Sequence, residues 1–432
     1  MKKQLSDREI RRRRRIRSQC MAYTVLLLLL ILIGVGVYFG MGFVSEQVMN
    51  YQEKVDDAME EAQSRVEEAA SESVSESMAV MEETQSVEAE SDIQTVPEDM
   101  VDPLDELVDA LLADMPIEDK VAGLFVVSPE AITGVGTAIQ AGNSTKQALE
   151  ANPVGGLIYQ DKNIKSDEQF LEMLTNTRSF SKYPLFLAVS KEAGAYQTPR
   201  ASELADMTAA SDAYTTIAQK LQTYGINMNL APVADIVSEN GNSDLQGRTF
   251  GSDASAATTR VNAAIQVLDE HDISAVLLTF PGEGSIDSNK NITKSLEEFK
   301  NSEFITYQAA ITAGVDCVMV SSLTASSLTG DDTPCTLSSV VITQTLREQL
   351  GFQGVVVTDF LNEATITSRY SSAEAAIKAL EAGADVLLEP KNYQEAYQAV
   401  LDAVNNGTIS QERIDESLHR IYRVKYQDAL EE

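Results

Sequence analysis

From about Pro103 onward the chain alternates between short, continuous apolar runs and longer stretches of helical spacing. The runs are GLFVVS, GGLIY, PLFLAVS, INMNLAPV, AVLLTF, CVMVSS, GVVVTDF and ADVLLEP. Among the stretches between them are SDEQFLEMLTNTRSFS, MTAASDAYTTIAQKLQTYG, ASAATTRVNAAIQVLDEH, KSLEEFKNSEFITYQAAITAG and NYQEAYQAVLDAVNNG. A strand that is apolar at every position must be covered on both faces, and parallel neighbours need helical crossovers, so this alternation predicts a parallel sheet wrapped by helices. Eight such units over about 300 residues fit an α/β fold of the (β/α)8 TIM-barrel type. An open doubly wound sheet is the alternative, but the first βα turn lacks the glycine fingerprint that cradles phosphate in such folds. In a barrel the loops after the strands build the site. Here they begin SKEAG, APVADI, PGEGSIDSN, SSLTASS, TDFLNEA and EPKN.

The N-terminal quarter of the 432 residues has a different composition. Residues 1–20 carry Arg8, Arg11 to Arg15, Arg17, Lys2 and Lys3 against only Asp7 and Glu9. A charge-free apolar run follows at 21–44, long enough for the roughly 20 residues that a membrane-spanning helix needs. The basic flank places the N-terminus in the cytoplasm and everything after Val44 outside. A cleaved signal peptide is the competing reading; the run exceeds the usual h-region of about 7–15 residues and no clear A-x-A-like site follows it, which favours an uncleaved transmembrane anchor. Residues 45–102 are rich in Glu, Ser, Ala and Val with few aromatics, a composition that cannot build a core and suits a solvated acidic stalk, partly helical at most. The expected organisation is therefore a cytoplasmic segment, one transmembrane helix, a stalk, and a barrel over 103–432. The formal net charge of −33 argues against nucleic acid as a partner.

Cysteine and histidine are scarce. Three cysteines make no disulfide framework, although an extracellular Cys317 and Cys335 could either bridge or stay as buried thiols. Two histidines and no Cys cluster argue against a zinc site. His271 falls ahead of a strand, on the face opposite the expected site, and His419 in the terminal helix.

The strand-end loops, in their order, resemble glycoside hydrolase family 3, in particular its single-barrel β-N-acetylhexosaminidase branch. The resemblance spans nearly all of 104–426 and is carried by MPIEDKVAGLF, VGGLIYQDKNI, GINMNLAPVADI, GRTFGSD, FPGEG, LREQLGFQGVVVTDFL and EAGADVLLEP. It implies a retaining O-glycosyl hydrolase without a cofactor, with Asp359 of VVVTDF in the nucleophile position. Such a carboxylate must point at the anomeric carbon from a rigid element. Read without the family, Asp359 could equally cap a helix. Arg248 of GRTFG and Asp235 of APVADI match the family pattern; Arg248 is either a sugar contact or a structural partner of Asp235.

The departures cluster in the site. Where the family has a motif similar to KHFPGHG followed by Asp-Ser-His, this chain has LTFPGEG followed by Asp287, Ser288 and Asn289. The position of the proton-donating His is thus Asn289, and an amide cannot donate and recover a proton near neutral pH. General acid catalysis is worth about 10²–10⁴-fold. Ser190 to Ala195 stands where the family resembles DQEGGR, leaving Glu192 beside Arg248 as the sugar-binding candidates, and Ser322 stands where a His is frequent. Two functions follow. The protein is an anchored glycosidase whose hydrolysis is impaired or altered, with Glu283 or Asp287 as substitute acid, or it is a pseudoenzyme that binds an N-acetylglucosamine-containing wall glycan or a protein without turnover. Glu283 could also be a solvated loop residue.

Overall fold

Each of the eight apolar runs forms a strand in the computed structural model, which describes residues 102–190, 201, 204–237, 241–245 and 247–427. They are β1 (Phe125–Val127), β2 (Gly156–Tyr159), β3 (Phe186–Val189), β4 (Met228–Asn229), β5 (Ser274–Phe280), β6 (Cys317–Val320), β7 (Val355–Thr358) and β8 (Leu387–Leu388). All neighbours are parallel, in the order β7-β6-β5-β4-β3-β2-β1-β8. The ring closes where Val357 bridges Val386 in parallel, with Thr358 N donating to Val386 O and Val386 N donating to Val356 O, each at 3.0 Å. The eightfold alternation is therefore a barrel and not an open sheet.

Local chemistry explains the element ends. Ser166, Asp206, Asp253, Asn392 and Ser410 each accept a hydrogen bond from an amide in the first turn of the helix they precede. Gly225, in a left-handed conformation (φ 66°), closes the helix Met207–Tyr224. The paired glycines before β2 answer to close packing: a Cβ on Gly155 would lie 2.0 Å from the carbonyl oxygen of Gly123. Alanine there would push β2 off its neighbour.

Two connections depart from the spacing. KSLEEFKNSEFITYQAAITAG reads as one helical stretch but folds as Leu296–Lys300 and Glu303–Thr312. The Ser302 hydroxyl donates to Glu298 O at 2.6 Å, and the break turns Glu303 inward, where it is fully buried and paired with Lys294 at 2.6 Å. The β1–β2 connection, to which the spacing assigns no helix, holds Pro129–Thr133 and Asn143–Ala151, segments too short to display a period.

Cys317 and Cys335 are both buried free thiols, not a bridge, and burial pushes both pKa values up. His271 lies before β5, its Nδ1 2.8 Å from Val267 O, and His419 lies 3.3 Å from Asp105. Among the described residues no helix is long and apolar enough to cross a membrane. The candidate span at 21–44 and the stalk up to residue 101 lie outside the described residues.

Candidate active site

The site begins with a buried carboxylate. Asp235, just past β4, has no solvent exposure. Its Oδ2 accepts from the Thr279 amide (3.2 Å) and hydroxyl (3.0 Å), and its Oδ1 accepts from the Glu283 amide. One side chain thus ties the end of β5 and the loop after it to β4. Burial raises the Asp235 pKa, the Glu283 amide opposes the rise and the charge of Glu303 adds to it, leaving it at about 6.

The glycines of FPGEG are dictated by crowding behind this loop. Gly282 has φ 133° and its Cβ would fall 2.7 Å from Glu303 Cγ; a Cβ on Gly284 would fall 2.0 Å from Ile236 O. Glu303 and its partner Lys294 form the floor. Tyr307 lies fully buried nearby, its hydroxyl without a hydrogen-bond partner among the described residues and its pKa pushed up by burial and then by Asp235, Glu303 and Glu283.

Two consecutive residues after β6 hold the two carboxylates that face the barrel's end. The Ser321 hydroxyl donates to Glu283 Oε1 at 2.5 Å, and the Ser322 amide donates to Asp359 Oδ2 at 3.1 Å. Asp359, one residue past β7, accepts a second bond at Oδ1 from the Phe360 amide at 2.8 Å. Each of its oxygens keeps a lone pair for another partner. It caps no helix: the next one, Ala364–Thr367, has Glu363 at its N-cap position.

Glu283, Asp359 and Arg248 line one cavity, together with Leu230, Leu278 and Phe360 among others. Its volume is about 60 Å³, below the roughly 300–1,000 Å³ of most ligand sites. Among the described residues Arg248 makes no hydrogen bond or ion pair with Asp235, whose partners are the loop's amides and the Thr279 hydroxyl. The pairing of Arg248 with Asp235 is therefore set aside.

Asp287 is not brought to this cavity. It is exposed, and its Oδ1 accepts from the amides of Asn289 (2.8 Å) and Asn291 (3.0 Å), closing a turn in which Asn289 is also exposed. Glu192 lies outside the described residues. Among the described residues no group of His, Cys, Asp and Glu is arranged to hold a metal ion. Sequence reasoning missed Ser321, Thr279 and Glu303. The signal available for Ser321 was a polar pair directly after an apolar strand, and Ser321 and Ser322 are both buried.

Comparison with known proteins is consistent with this architecture. The model of the family described as "Glycosyl hydrolase family 3 N terminal domain" matches residues 116–424. A β-N-acetylglucosaminidase/β-glucosidase of Cellulomonas fimi is 29% identical over 276 residues, covering 58% of this chain and 49% of that protein. A β-hexosaminidase of Xanthomonas oryzae is 28% identical over 276 residues, covering 58% of this chain and 81% of that one. Among solved structures, a family 3 β-N-acetylglucosaminidase from Paenibacillus sp. str. FPU-7 superposes with a TM-score of 0.67 at 28% identity, over 74% of this chain and 64% of that one. A β-N-acetylhexosaminidase from Beutenbergia cavernae superposes with a TM-score of 0.61 at 27% identity, over 72% and 99%. The chain thus spans about half the length of the Cellulomonas relative.

Proposed function

Because the chain belongs to glycosyl hydrolase family 3, we propose that its barrel engages N-acetylglucosamine-containing envelope glycans from the outer side of a membrane, anchored by residues 21–44, with hydrolysis of ordinary glycosides impaired. The observation that carries this reading is Asp359, held by two amides at the end of β7 in a cavity shared with Glu283 and Arg248. The substrate class follows from the relatives, which are named as β-N-acetylglucosaminidases and β-hexosaminidases. The impairment follows from the cavity's lining, which includes no imidazole, and from Asn289 at the position where the family's acid/base His is expected. Asp359 supplies the nucleophile and Arg248 a sugar contact. Glu283 stands as the substitute acid, since it shares the cavity and Asp287 does not. Without a fitted proton donor, a poor leaving group loses about 10²–10⁴-fold in rate.

A second reading, a non-catalytic glycan- or protein-binding scaffold, is favoured by one specific feature: Leu278 and Phe360 line a cavity of only about 60 Å³ around Asp359. The two separate on a dinitrophenyl β-N-acetylglucosaminide, whose leaving group departs without protonation. The full chain in detergent micelles is expected to turn it over, and Asp359→Asn to abolish that turnover. No turnover by either protein would overturn the hydrolase reading and leave the scaffold.

A further inference from the structure

A larger cavity than the one at Asp359 lies elsewhere. A groove of about 550 Å³ opens at the same end of the barrel, between the connection after β7, which supplies Thr367 and Tyr370, and the residues after β8, Lys391 to Glu395. It shares no lining residue with the Asp359 cavity. Its volume falls within the range of about 300–1,000 Å³ usual for small-molecule sites.

The chemistry of the groove selects a neutral, hydroxyl-rich ligand. Among the described residues that line it, the charged side chains are one cation, Lys391, and one carboxylate, Glu395, which balance. Helices Ser372–Ala382 and Tyr393–Asn405 both begin at the groove, and such N-termini would ordinarily favour an anion. Here they are already occupied. Ser371 accepts from the Glu374 amide and the Glu374 carboxylate accepts back from Ser371; Asn392 caps the Glu395 amide, and the Ser372 hydroxyl accepts from the Asn392 amide at 3.0 Å. Carboxylates at both first turns repel phosphate or a second carboxylate.

What remains is an array of amide and hydroxyl groups that both donate and accept, on Asn392, Gln394 and Thr367, beside the half-buried ring of Tyr370. Tyr393 also lines the groove and is 3% exposed, its ring packed edge-on against Phe125 with 5.3 Å between centres, so it forms a fixed wall beneath these groups.

We infer that this groove between the β7 and β8 connections binds a neutral oligosaccharide, and that the barrel holds its glycan at this rim independently of Asp359. The choice of an N-acetylglucosamine oligomer rests on the glycan-facing reading above; the existence of the site does not. Tyr370, which has the Lys378 ammonium 5.9 Å from its ring centre on one side, offers its other face to a sugar ring, and the side chains of Asn392, Gln394 and Lys391 offer hydrogen bonds to its substituents.

The test is calorimetric titration of the full chain in detergent micelles with tri-N-acetylchitotriose, with inorganic phosphate as the anionic control. Binding is expected in the wild type, unchanged in Asp359→Asn, and weakened about tenfold in Tyr370→Ala and in Gln394→Ala. Gln394 is exposed, so its replacement tests the groove without threatening the fold. Turnover of the dinitrophenyl substrate should be the same in both groove variants as in the wild type. Trisaccharide binding that ignores both groove variants but falls in Asp359→Asn would overturn the groove while leaving the glycan-facing reading intact. Phosphate binding lost in Tyr370→Ala or Gln394→Ala, with no trisaccharide binding, would overturn the ligand class. Groove-dependent binding without any turnover would uphold the groove and overturn the hydrolase.

Discussion

Asp235 and Asp385 are both fully buried aspartates at the ends of barrel strands, and their surroundings are opposite. Asp385, just before β8, accepts from Arg347 (2.5 Å), Arg420 (3.2 Å), the Ser417 hydroxyl (2.7 Å) and the Val356 amide (2.9 Å), with Arg413 at 3.7 Å. Arg413, Ser417 and Arg420 belong to the last helix, Gln411–Tyr426, so this carboxylate pins that helix to the N-terminal face of the barrel. Asp235, just past β4, has among the described residues only amides and one hydroxyl as hydrogen-bond partners, with Glu303 adding a like charge nearby. A paired charge at one face locks the fold, and an unpaired one at the other holds the loop that carries Glu283.

The hardest test of this contrast is Asp385→Ala. Removing it leaves three guanidinium groups without their shared counter-charge, and we expect a loss of about 3–5 kcal/mol in urea unfolding. A loss under about 1 kcal/mol would mean the cluster does not lock the terminal helix, and the comparison would break.

The pH dependence of Asp235 comes next. Its folded-state pKa, at about 6, lies above the ordinary 3.8. A raised carboxyl stabilises the fold fully below the ordinary value, and that contribution is lost as pH rises through 6. The whole effect is bounded by about 3 kcal/mol. Relative to Asp235→Asn, the wild type should therefore gain stability between pH 7 and pH 4, read as urea midpoints at intermediate steps. A constant gap across that window would show that the carboxyl is not raised.

Lys425 sharpens the contrast with the smallest expected change, because the residue is only half-buried and the carbonyl and two rings around its ammonium offset most of the lost hydration. Its ammonium donates to Gly155 O at 2.8 Å and lies 4.7 Å and 4.9 Å from the ring centres of Phe186 and Tyr422. Desolvation lowers its pKa from 10.5 to about 7. A lowered amine favours the fold above the unfolded value, and this is lost as pH falls from about 10 to 7. Lys425→Met should thus overtake the wild type slightly in thermal stability as pH drops through that range. If the two melt in parallel at every pH, the ammonium is better solvated than its neighbours suggest.

Much of the fold was legible because the hydrophobic code is local. Strand runs such as VVVT and helical stretches such as MTAASDAYTTIAQKLQTY display their period within a few residues, and both formed where the spacing put them. Asp359 was found from its motif at a strand end. The break at Asn301 and Ser302 was not legible, since only the pairing of Glu303 with Lys294 beneath the FPGEG glycines gives it a reason.

The eight strands, their parallel order, the family and the place of Asp359 at the end of β7 were all written in local sequence. Tertiary structure alone decided which charges are paired. Thr279 and Asp235 are 44 residues apart, Ser322 and Asp359 are 37 apart, and Arg347 and Asp385 are 38 apart. No periodicity reaches across such separations. Neighbouring strands bring these residues within hydrogen-bond distance only when the barrel closes, and burial then makes the presence or absence of a counter-charge decisive.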